Sequence, residues 1–240
     1  MTHYQLREAT YAGHDKKNDR ARDRSYTSGI WRLQACRVVE RLPNGYVVKS
    51  PWNDWWEEEE CREDMAREAR VYQRLLNCFG AHKRFITFIS YDEGDYSITM
   101  EYMVNGTLRA YIEANNDRIA QDQRHQWILA MAKGMEMLHA ASVVHCDFSP
   151  RNMLLDGNLE LKVTDFGCVS MDGSKSSAGG SVRFYPPRVL TRERIEADDD
   201  LFALGSSIYE VLIGKPSYMD LETRRIQTPL QPGDCPTFVV

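Results

Sequence analysis

Hydrophobic and polar positions alternate with a period of two in several early segments of the chain, a pattern typical of half-buried strands. Between residues 30 and 49 the pattern indicates a strand, a turn at 43–45 and a second strand at 46–49. Further strands are predicted at 85–91 and 96–102, because an acidic turn with a glycine separates them. The early part of the chain is therefore predicted to form a small antiparallel sheet.

A helical period interrupts these strands. Asp54 can cap the helix, and the acids at 57–60 lie in its first turns, where they complement the helix dipole. Glu68 lies on nearly the same face as the apolar residues, and burying a carboxylate without a partner would be costly. It therefore either has a partner or lies in water at the edge of the apolar stripe. Six residues at helical spacing form that inward stripe: Cys61, Met65, Ala69, Tyr72, Leu75 and Leu76.

Helical segments dominate after Gly106, at 107–113 and 123–141. The boundary between a strand-rich N-terminal lobe, about 28–103, and a mainly helical C-terminal lobe, about 104–240, is therefore predicted near residues 101–106. Residues 1–27 are polar, carry mixed charges and show no period, which is typical of a flexible tail.

Composition narrows the class of protein. The formal net charge is -5 and the pI is about 5.7, which argues against a nucleic acid or an anionic membrane surface as partner. No apolar run approaches the roughly 20 residues that a membrane helix needs. The 6 cysteines have neither close pairing nor metal-type spacing with histidine, which favours reduced thiols in a cytoplasmic or nuclear protein. Nothing in the sequence indicates an oligomeric state.

The stretch 143–167 is the most informative about chemistry. A tight turn at 156–158 followed by an alternating strand at 159–163 predicts a hairpin that brings Asn152 and Asp165 to its open end. Oxygen ligands that converge there suit Mg²⁺, a hard cation that binds few protein ligands together with substrate phosphates. Asp147 lies just upstream, close enough to accept a proton from an attacking hydroxyl.

These motifs resemble the eukaryotic protein kinase superfamily in their order and spacing. The chain has an HxDxxxxN loop at 145–152, a DFG at 165–167 and an upstream strand ending in Lys49. Residues 180–190 resemble the end of an activation loop, and Asp200 opens a helix similar to the one whose aspartate anchors the catalytic loop. The resemblance covers roughly 28–216, and the wording of the catalytic loop is similar to small, divergent fungal kinase-like proteins.

The resemblance implies an α+β, two-lobed protein-kinase-like fold. A small antiparallel β-sheet with helix C would form the N-lobe, and a mainly helical C-lobe would be truncated after the buried central helix. It also implies ATP and Mg²⁺ as cofactors and a protein as substrate. Lys49 would position the phosphates and Glu68 would position Lys49. Glu101 and Met103 would lie in the hinge that binds adenine, with Met100 as gatekeeper.

The catalytic residues carry over in the same way. Asp147 would orient and deprotonate the substrate hydroxyl, while Asn152 and Asp165 would bind the metal ions that bridge the phosphates. Arg151 would neutralise charge on the transferring phosphoryl group. His145 and Phe166 would pack in the column that aligns the lobes.

Several positions depart from the family pattern. Residues 32–37 contain no glycine where a glycine-rich lid is usual, which predicts weaker ATP binding. Cys146 replaces the arginine that usually pairs with an activation-loop phosphate, which predicts that this switch is absent. Arg188 replaces a glutamate of a family ion pair, and the chain stops soon after its central helix. Ser149 replaces the lysine of serine/threonine kinases, and Arg151 lies where tyrosine kinases carry an arginine. Ser181, by contrast, keeps a hydroxyl where serine/threonine kinases carry threonine, so the signals about the acceptor conflict.

The resulting hypothesis is an ATP-dependent protein kinase, with serine or threonine slightly favoured over tyrosine as acceptor. One alternative is a pseudokinase that binds nucleotide or partners without useful turnover, supported by the glycine-free lid and the short C-lobe. A second alternative is a small-molecule kinase, against which the DFG and the activation-segment ending at Pro187 argue.

Overall fold

The computed structural model describes residues 37–51, 58–177, 179–186 and 195–217. Its N-terminal part contains a four-stranded antiparallel sheet in the order β1-β2-β4-β3. The strands are β1 Arg37–Arg41, β2 Tyr46–Pro51, β3 Phe88–Asp92 and β4 Ser97–Glu101. The predicted antiparallel sheet is therefore confirmed. The expected flexible tail, the glycine-free lid up to residue 36, Asp54 and Arg188 lie outside the described residues.

The turn between β1 and β2 follows the prediction at 43–45. Gly45 has φ +87°, a left-handed conformation that glycine adopts at little cost. The Oδ1 of Asn44 accepts a hydrogen bond from the backbone N–H of Tyr46 at 3.1 Å. This turn fixes the register in which Val39 lies opposite Lys49. The predicted strand at 85–91 is shorter than expected, because Phe85 instead bridges to Val163 of the larger lobe.

Helix α1, Glu58–Phe79, packs one face against this sheet. The inward stripe is buried as predicted at five of its six positions, Cys61, Met65, Ala69, Tyr72 and Leu75. The prediction is wrong at Leu76, which is 48% exposed. Leu76 lies near the edge of the buried arc and in the last turn of the helix. Glu68 lies near the middle of that arc and is 0% exposed, so the alternative of a solvated carboxylate is excluded.

The larger lobe is mainly helical, as predicted. Its helices are α2 Leu108–Asn115, α3 Gln121–Ala140 and α4 Ala197–Ile213. The hydroxyl of Thr107 caps α2 by accepting from the N–H of Ala110 at 3.1 Å. None of the helices within the described ranges is long and apolar enough to cross a membrane.

Two small antiparallel pairs complete this lobe and carry the loops of interest. Strands β5 Val143–Val144 and β8 Ser170–Met171 form one pair, and β6 Met153–Leu155 and β7 Leu161–Val163 form the other. The predicted hairpin is thus present, but β7 begins two residues later than expected. Leu159 has φ +61° and its N–H bonds to the carbonyl of Asp156, so it belongs to the turn.

Helix α3 lies close against the β6–β7 hairpin. A Cβ placed on Gly134 would lie 2.9 Å from a methyl group of Val163, so only glycine permits this approach without a shift. Arginine side chains also join the three helices of this lobe. Arg109 on α2 makes two 2.6 Å bonds to Glu210 on α4, and the guanidinium of Arg124 on α3 donates to the carbonyl of Val211. The loops at the ends of β5, β6 and β7 therefore lie next to helices that are bonded to one another.

Candidate active site

A buried lysine forms the centre of the candidate site. The Nζ of Lys49, on β2, lies 2.7 Å from Glu68 Oε2 on α1 and 2.8 Å from Asp165 Oδ1 after β7. Lys49 is 7% exposed and Glu68 is 0% exposed. Charges at this depth are tolerated only when they are paired and hydrogen-bonded, which these are. The structure therefore brings together three predicted residues, although Lys49 and Asp165 are 116 positions apart in the sequence.

Tyr72, on α1, contacts Glu68 and so holds the carboxylate that pairs with Lys49. Tyr72 counted only as an apolar residue in the sequence, which did not predict this contact. Its hydroxyl donates to Glu68 Oε1 at 3.4 Å and lies 2.8 Å from Thr164 Oγ1. Burial, followed by the negative charge of Glu68, raises the pKa of Tyr72 well above its ordinary value. Tyr72 therefore remains a neutral hydrogen-bond donor. A tyrosine one helical turn after an inward glutamate was the available signal.

The loop at 145–152 holds a second group of predicted residues. The Nδ2 of Asn152 donates to the carbonyl of Asp147 at 2.8 Å and to its Oδ2 at 2.9 Å. The Nη2 of Arg151 lies 3.9 Å from Asp147 Oδ1. Burial raises the pKa of Asp147 above its ordinary value, although Arg151 opposes this shift. A carboxylate with a raised pKa is a better proton acceptor than an ordinary aspartate.

This loop is anchored from beneath by the first turn of α4. The carboxylate of Asp200 accepts from the backbone N–H groups of His145 at 2.7 Å and Cys146 at 3.0 Å. His139 Nε2 lies 3.1 Å from the same carboxylate. Cys146 has φ +63°, outside regular structure, so its N–H needs an acceptor of this kind. The anchoring role that the sequence assigned to Asp200 is present in the structure.

The hairpin brings the two predicted metal ligands to one place. Met153 lies opposite Val163 in the β6–β7 pair, and the N–H of Thr164 donates to the carbonyl of Asn152 at 3.1 Å. Asp165 follows directly, with φ +66°, and its side chain is 24% exposed. Because both Asn152 donors are used by Asp147, its Oδ1 is the atom that remains suitable as a metal ligand.

Aromatic rings join this loop to α1. The ring centroids of His145 and Phe166 are 5.5 Å apart, so the two residues pack together as predicted. Phe166 also meets Tyr72 edge-on at 5.0 Å, and His145 Nε2 lies 3.2 Å from the carbonyl of Thr164. The Tyr72–Phe166 ring pair therefore joins α1 to this loop, while the bond between His145 and Thr164 lies within the C-terminal lobe.

Comparison with known proteins gives this geometry a family. Residues 44–231 match the model of the protein kinase domain. The chain is 30% identical to the serine/threonine-protein kinase CLA4 of Candida albicans, with 65% of this chain and 17% of that protein covered. It is 29% identical to the ephrin type-A receptor 1 of Mus musculus, covering 58% and 16%, and 30% identical to the Aurora kinase of Eremothecium gossypii, covering 53% and 35%.

The chain belongs to the protein kinase domain family. It spans between about a sixth and about a third of the length of these three relatives. The resemblance that the sequence motifs suggested is thus confirmed, as is the α+β fold.

The predicted hinge begins at the end of β4. Met100, the predicted gatekeeper, is 4% exposed and lies opposite Val47 in the sheet. The carboxylate of Glu101 is engaged by the fold, because it accepts from Lys162 Nζ at 2.5 Å and from the N–H of Thr87 at 2.6 Å. Burial raises the pKa of Glu101, but these bonds outweigh it and hold the pKa below its usual value. The side chain of Glu101 is therefore held within the fold, and adenine binding by its backbone stays a prediction.

Met103, the second predicted hinge residue, is 5% exposed. Its carbonyl accepts from the N–H of Gly106 at 3.1 Å, which closes the turn between the lobes. Among the hydrogen bonds of the described residues, none uses the backbone N–H of Met103. Adenine binding by that group stays a prediction.

The segment at 179–186 lies directly on the catalytic loop. A Cβ placed on Gly180 would lie 1.9 Å from Asp147 Oδ1, so the backbone of Gly180 covers this carboxylate. The N–H of Gly180 donates to the carbonyl of Cys146 at 3.2 Å, and the hydroxyl of Tyr185 donates to the same carbonyl. Burial is the largest cause that raises the pKa of Tyr185 well above its ordinary value, and the negative charge of Asp147 is the second. Because Gly180 covers it, Asp147 is only 6% exposed.

The substituted positions in this region are buried. Cys146 is 0% exposed and its thiol donates to the carbonyl of Val144 at 3.3 Å. Burial, followed by the nearby charge of Asp200, raises the pKa of that thiol, so it stays protonated. Ser149 is also 0% exposed, and its hydroxyl has no hydrogen-bond partner within the described part of the chain. Neither residue offers a cation in place of the family's arginine and lysine.

Proposed function

We propose that this kinase domain transfers the γ-phosphate of ATP to a protein hydroxyl, with serine or threonine slightly favoured over tyrosine. The observation that carries the proposal is the buried Lys49, held by Glu68 at 2.7 Å and by Asp165 at 2.8 Å. A lysine in this position offers its charge to phosphate oxygens without first having to become ordered. The cytoplasmic or nuclear location stays a prediction.

The residues present fit a magnesium nucleotide. Asp165 has one oxygen on Lys49 and a partly exposed carboxylate, and Asn152 has its amide oxygen left for a metal. Two oxygen ligands from the protein suit Mg²⁺, which completes its shell with phosphates and water. Asn152 and Asp165 would therefore hold the metal, and Lys49 would hold the phosphates. ATP, when bound, supplies the phosphoryl group that is transferred.

The other side of the reaction depends on Asp147. Its carboxylate orients the acceptor hydroxyl and takes its proton, and the raised pKa brings it closer to neutral pH. Arg151, at 3.9 Å from that carboxylate, places positive charge beside the phosphoryl group as it passes. Asn152 fixes the Asp147 side chain through its amide, which keeps the base in one rotamer.

The names of relatives and two serine positions bear on the acceptor preference. CLA4, a receptor-like kinase of Arabidopsis thaliana and an RGS domain-containing kinase of Dictyostelium discoideum are named as serine/threonine-protein kinases, which supports serine or threonine. Ser181 keeps a hydroxyl in the segment that covers the catalytic loop, while Ser149 removes a lysine from that loop.

A transfer assay with three classes of acceptor tests the proposal. Purified protein with Mg²⁺ and γ-labelled ATP is offered serine/threonine peptides, tyrosine peptides and small hydroxylated metabolites, with Asp122→Asn, a change on the exposed start of α3, as control variant. Label on serine or threonine that the control also gives, and that needs Mg²⁺, is expected. Label confined to small molecules would replace the proposal with a small-molecule kinase.

A pseudokinase is the second candidate, and one observation favours it. Gly180 lies against Asp147 so closely that an acceptor hydroxyl cannot meet the carboxylate unless residues 179–186 move. A domain that never moves this segment would bind nucleotide and transfer nothing. Nucleotide binding without label on any acceptor would favour this candidate.

A further inference from the structure

Two arginines on α1 contact the C-terminal lobe beside Glu68. The Nη1 of Arg67, the residue before Glu68, donates to the carbonyl of Gly167 at 2.8 Å and to Asp64 Oδ1 at 2.5 Å. Its side chain is 16% exposed. Gly167 lies two residues after Asp165, so this bond joins the middle of α1 to the loop that carries the metal ligand.

The second arginine acts near the end of the helix. Arg74 makes a two-pronged contact with Asp172, at 2.6 and 2.7 Å, and its Nη1 donates to the carbonyl of Ala141 at 3.3 Å. Asp172 is itself fixed, because its N–H donates to the carbonyl of Ser142 at 2.9 Å. The planar guanidinium therefore binds two points of the C-terminal lobe that follow β8 and α3.

These contacts determine where Glu68 lies. Glu68 reaches Lys49 only while α1 stays against the lobe, and Arg67 and Arg74 bracket it at one residue and six residues along the helix. Both contacts are made with carboxylates and backbone carbonyls of the chain. The buried, protonated Cys146 offers no cation that would bind a phosphorylated side chain.

We propose that Arg67 and Arg74 are positioning residues for the nucleotide site. They hold α1 against the C-terminal lobe so that Glu68 meets Lys49 without a phosphorylated residue after Gly167. The proposal rests on the proposed function, since the site that these residues position is the magnesium–ATP site. Neither arginine touches the nucleotide.

The position of α1 is measured first, without nucleotide. Spin labels are placed at Glu60→Cys, on the exposed start of α1, and at Gln126→Cys, on the exposed face of α3, with the cysteines at 36, 78, 168 and 235 changed to serine. Wild type is expected to give one narrow distance distribution. Arg67→Met combined with Asp172→Asn is expected to broaden it or add a second distance, while Glu136→Gln, which breaks an exposed pair within α3, should change nothing.

ATP affinity is measured second, with the same substitutions and native cysteines. Asp172→Asn is expected to weaken magnesium–ATP binding about 2- to 5-fold, as for an exposed bidentate pair. Arg67→Met is expected to weaken it by about 10-fold or more, because a charged donor to a half-buried carbonyl is lost. Arg67→Lys should recover most of the affinity, which loss of general stability would not explain. Asp172 is exposed, so its variant is not expected to unfold.

The two measurements separate the proposals. Unchanged distances in the combined variant overturn the positioning role, whether or not ATP binds. A broad distribution in wild type overturns it as well. Shifted distances together with no ATP binding by wild type support the positioning role and overturn the proposed function.

Discussion

The nucleotide side of the candidate site and its acceptor side hold their charged groups differently. On the nucleotide side, Lys49 is paired with two carboxylates, and part of the Asp165 side chain stays exposed. On the acceptor side, Asp147 is 6% exposed and lies beneath Gly180. The nucleotide side can therefore take a ligand as it stands, whereas on the acceptor side the segment at 179–186 must first move away from Asp147. Binding and transfer should therefore respond to different substitutions.

The largest expected effect is on transfer alone. Asp147→Asn should lower the rate of phosphate transfer by about 10²- to 10⁴-fold, the usual contribution of a general base. Affinity for ATP should stay within about twofold, because an asparagine at 147 keeps a side-chain oxygen that can accept from Asn152 Nδ2, so Asn152 stays in place. Single-turnover transfer and nucleotide titration measure the two quantities, with Asp122→Asn as control. A transfer rate close to that of wild type would remove Asp147 from this role.

Gly180→Ala tests the cover on the acceptor side. The added methyl group would lie 1.9 Å from Asp147 Oδ1, so the segment must shift, although φ at this position does not require glycine. Backbone hydrogen exchange in residues 179–186 is expected to rise by about 10-fold, because local opening becomes less costly. Affinity for ATP should not change.

Gly205→Ala is the matched control for that experiment. A Cβ there meets nothing within 4 Å, so exchange in 179–186 should equal that of wild type. If Gly180→Ala leaves exchange as slow as in the control, the segment does not depend on this contact.

The pH dependence of transfer gives a smaller effect on the same side. The pKa of Asp147 is raised by burial, so its active, ionised form should be lost at a higher pH than the usual value of about 3.9 for aspartate. The acid limb of kcat/KM is expected above that value. The raised pKa of Asp147 also affects folding stability. The contribution of this group is fully present below the ordinary aspartate pKa and is lost as the pH rises through the pKa of Asp147 in the folded protein. An acid limb at the ordinary aspartate value would contradict the assignment.

Part of this comparison could be predicted from the sequence. Short-range patterns located the strands, the hairpin turn and the helices, and the inward position of Glu68 among apolar residues indicated a buried partner. Asn152 and Asp165 could be placed together because a hairpin joins them.

The remainder depends on tertiary contacts that no local pattern carries. Arg67 and Arg74 find partners 100 and 98 residues away, and the segment that covers Asp147 is fixed by Tyr185 and Gly180. Leu76 follows the apolar period but lies in the last turn, where it is half exposed. Periodicity identifies the face of a helix, but it does not show how far along that face the neighbours extend.

The smallest expected effect concerns phosphorylation. Because Cys146 cannot make the two-pronged contact that an arginine makes with phosphate, phosphatase treatment should change transfer by less than about twofold. Transfer is compared before and after treatment, with the phosphatase removed. A large loss, reversed when Ser174, Ser176, Ser177 or Ser181 is phosphorylated, would show that the switch exists in another form.

The most direct test of the central claim is a calorimetric titration with ATP, with and without Mg²⁺, on wild type and Asp165→Ala. The claim is that Lys49, Asn152 and Asp165 form a magnesium–ATP site, so wild type should bind ATP more tightly with Mg²⁺ than without it. In Asp165→Ala the two affinities should become equal, because the carboxylate that holds the metal is gone. Binding that ignores both Mg²⁺ and the loss of Asp165, or no binding by wild type at millimolar ATP, would contradict the account.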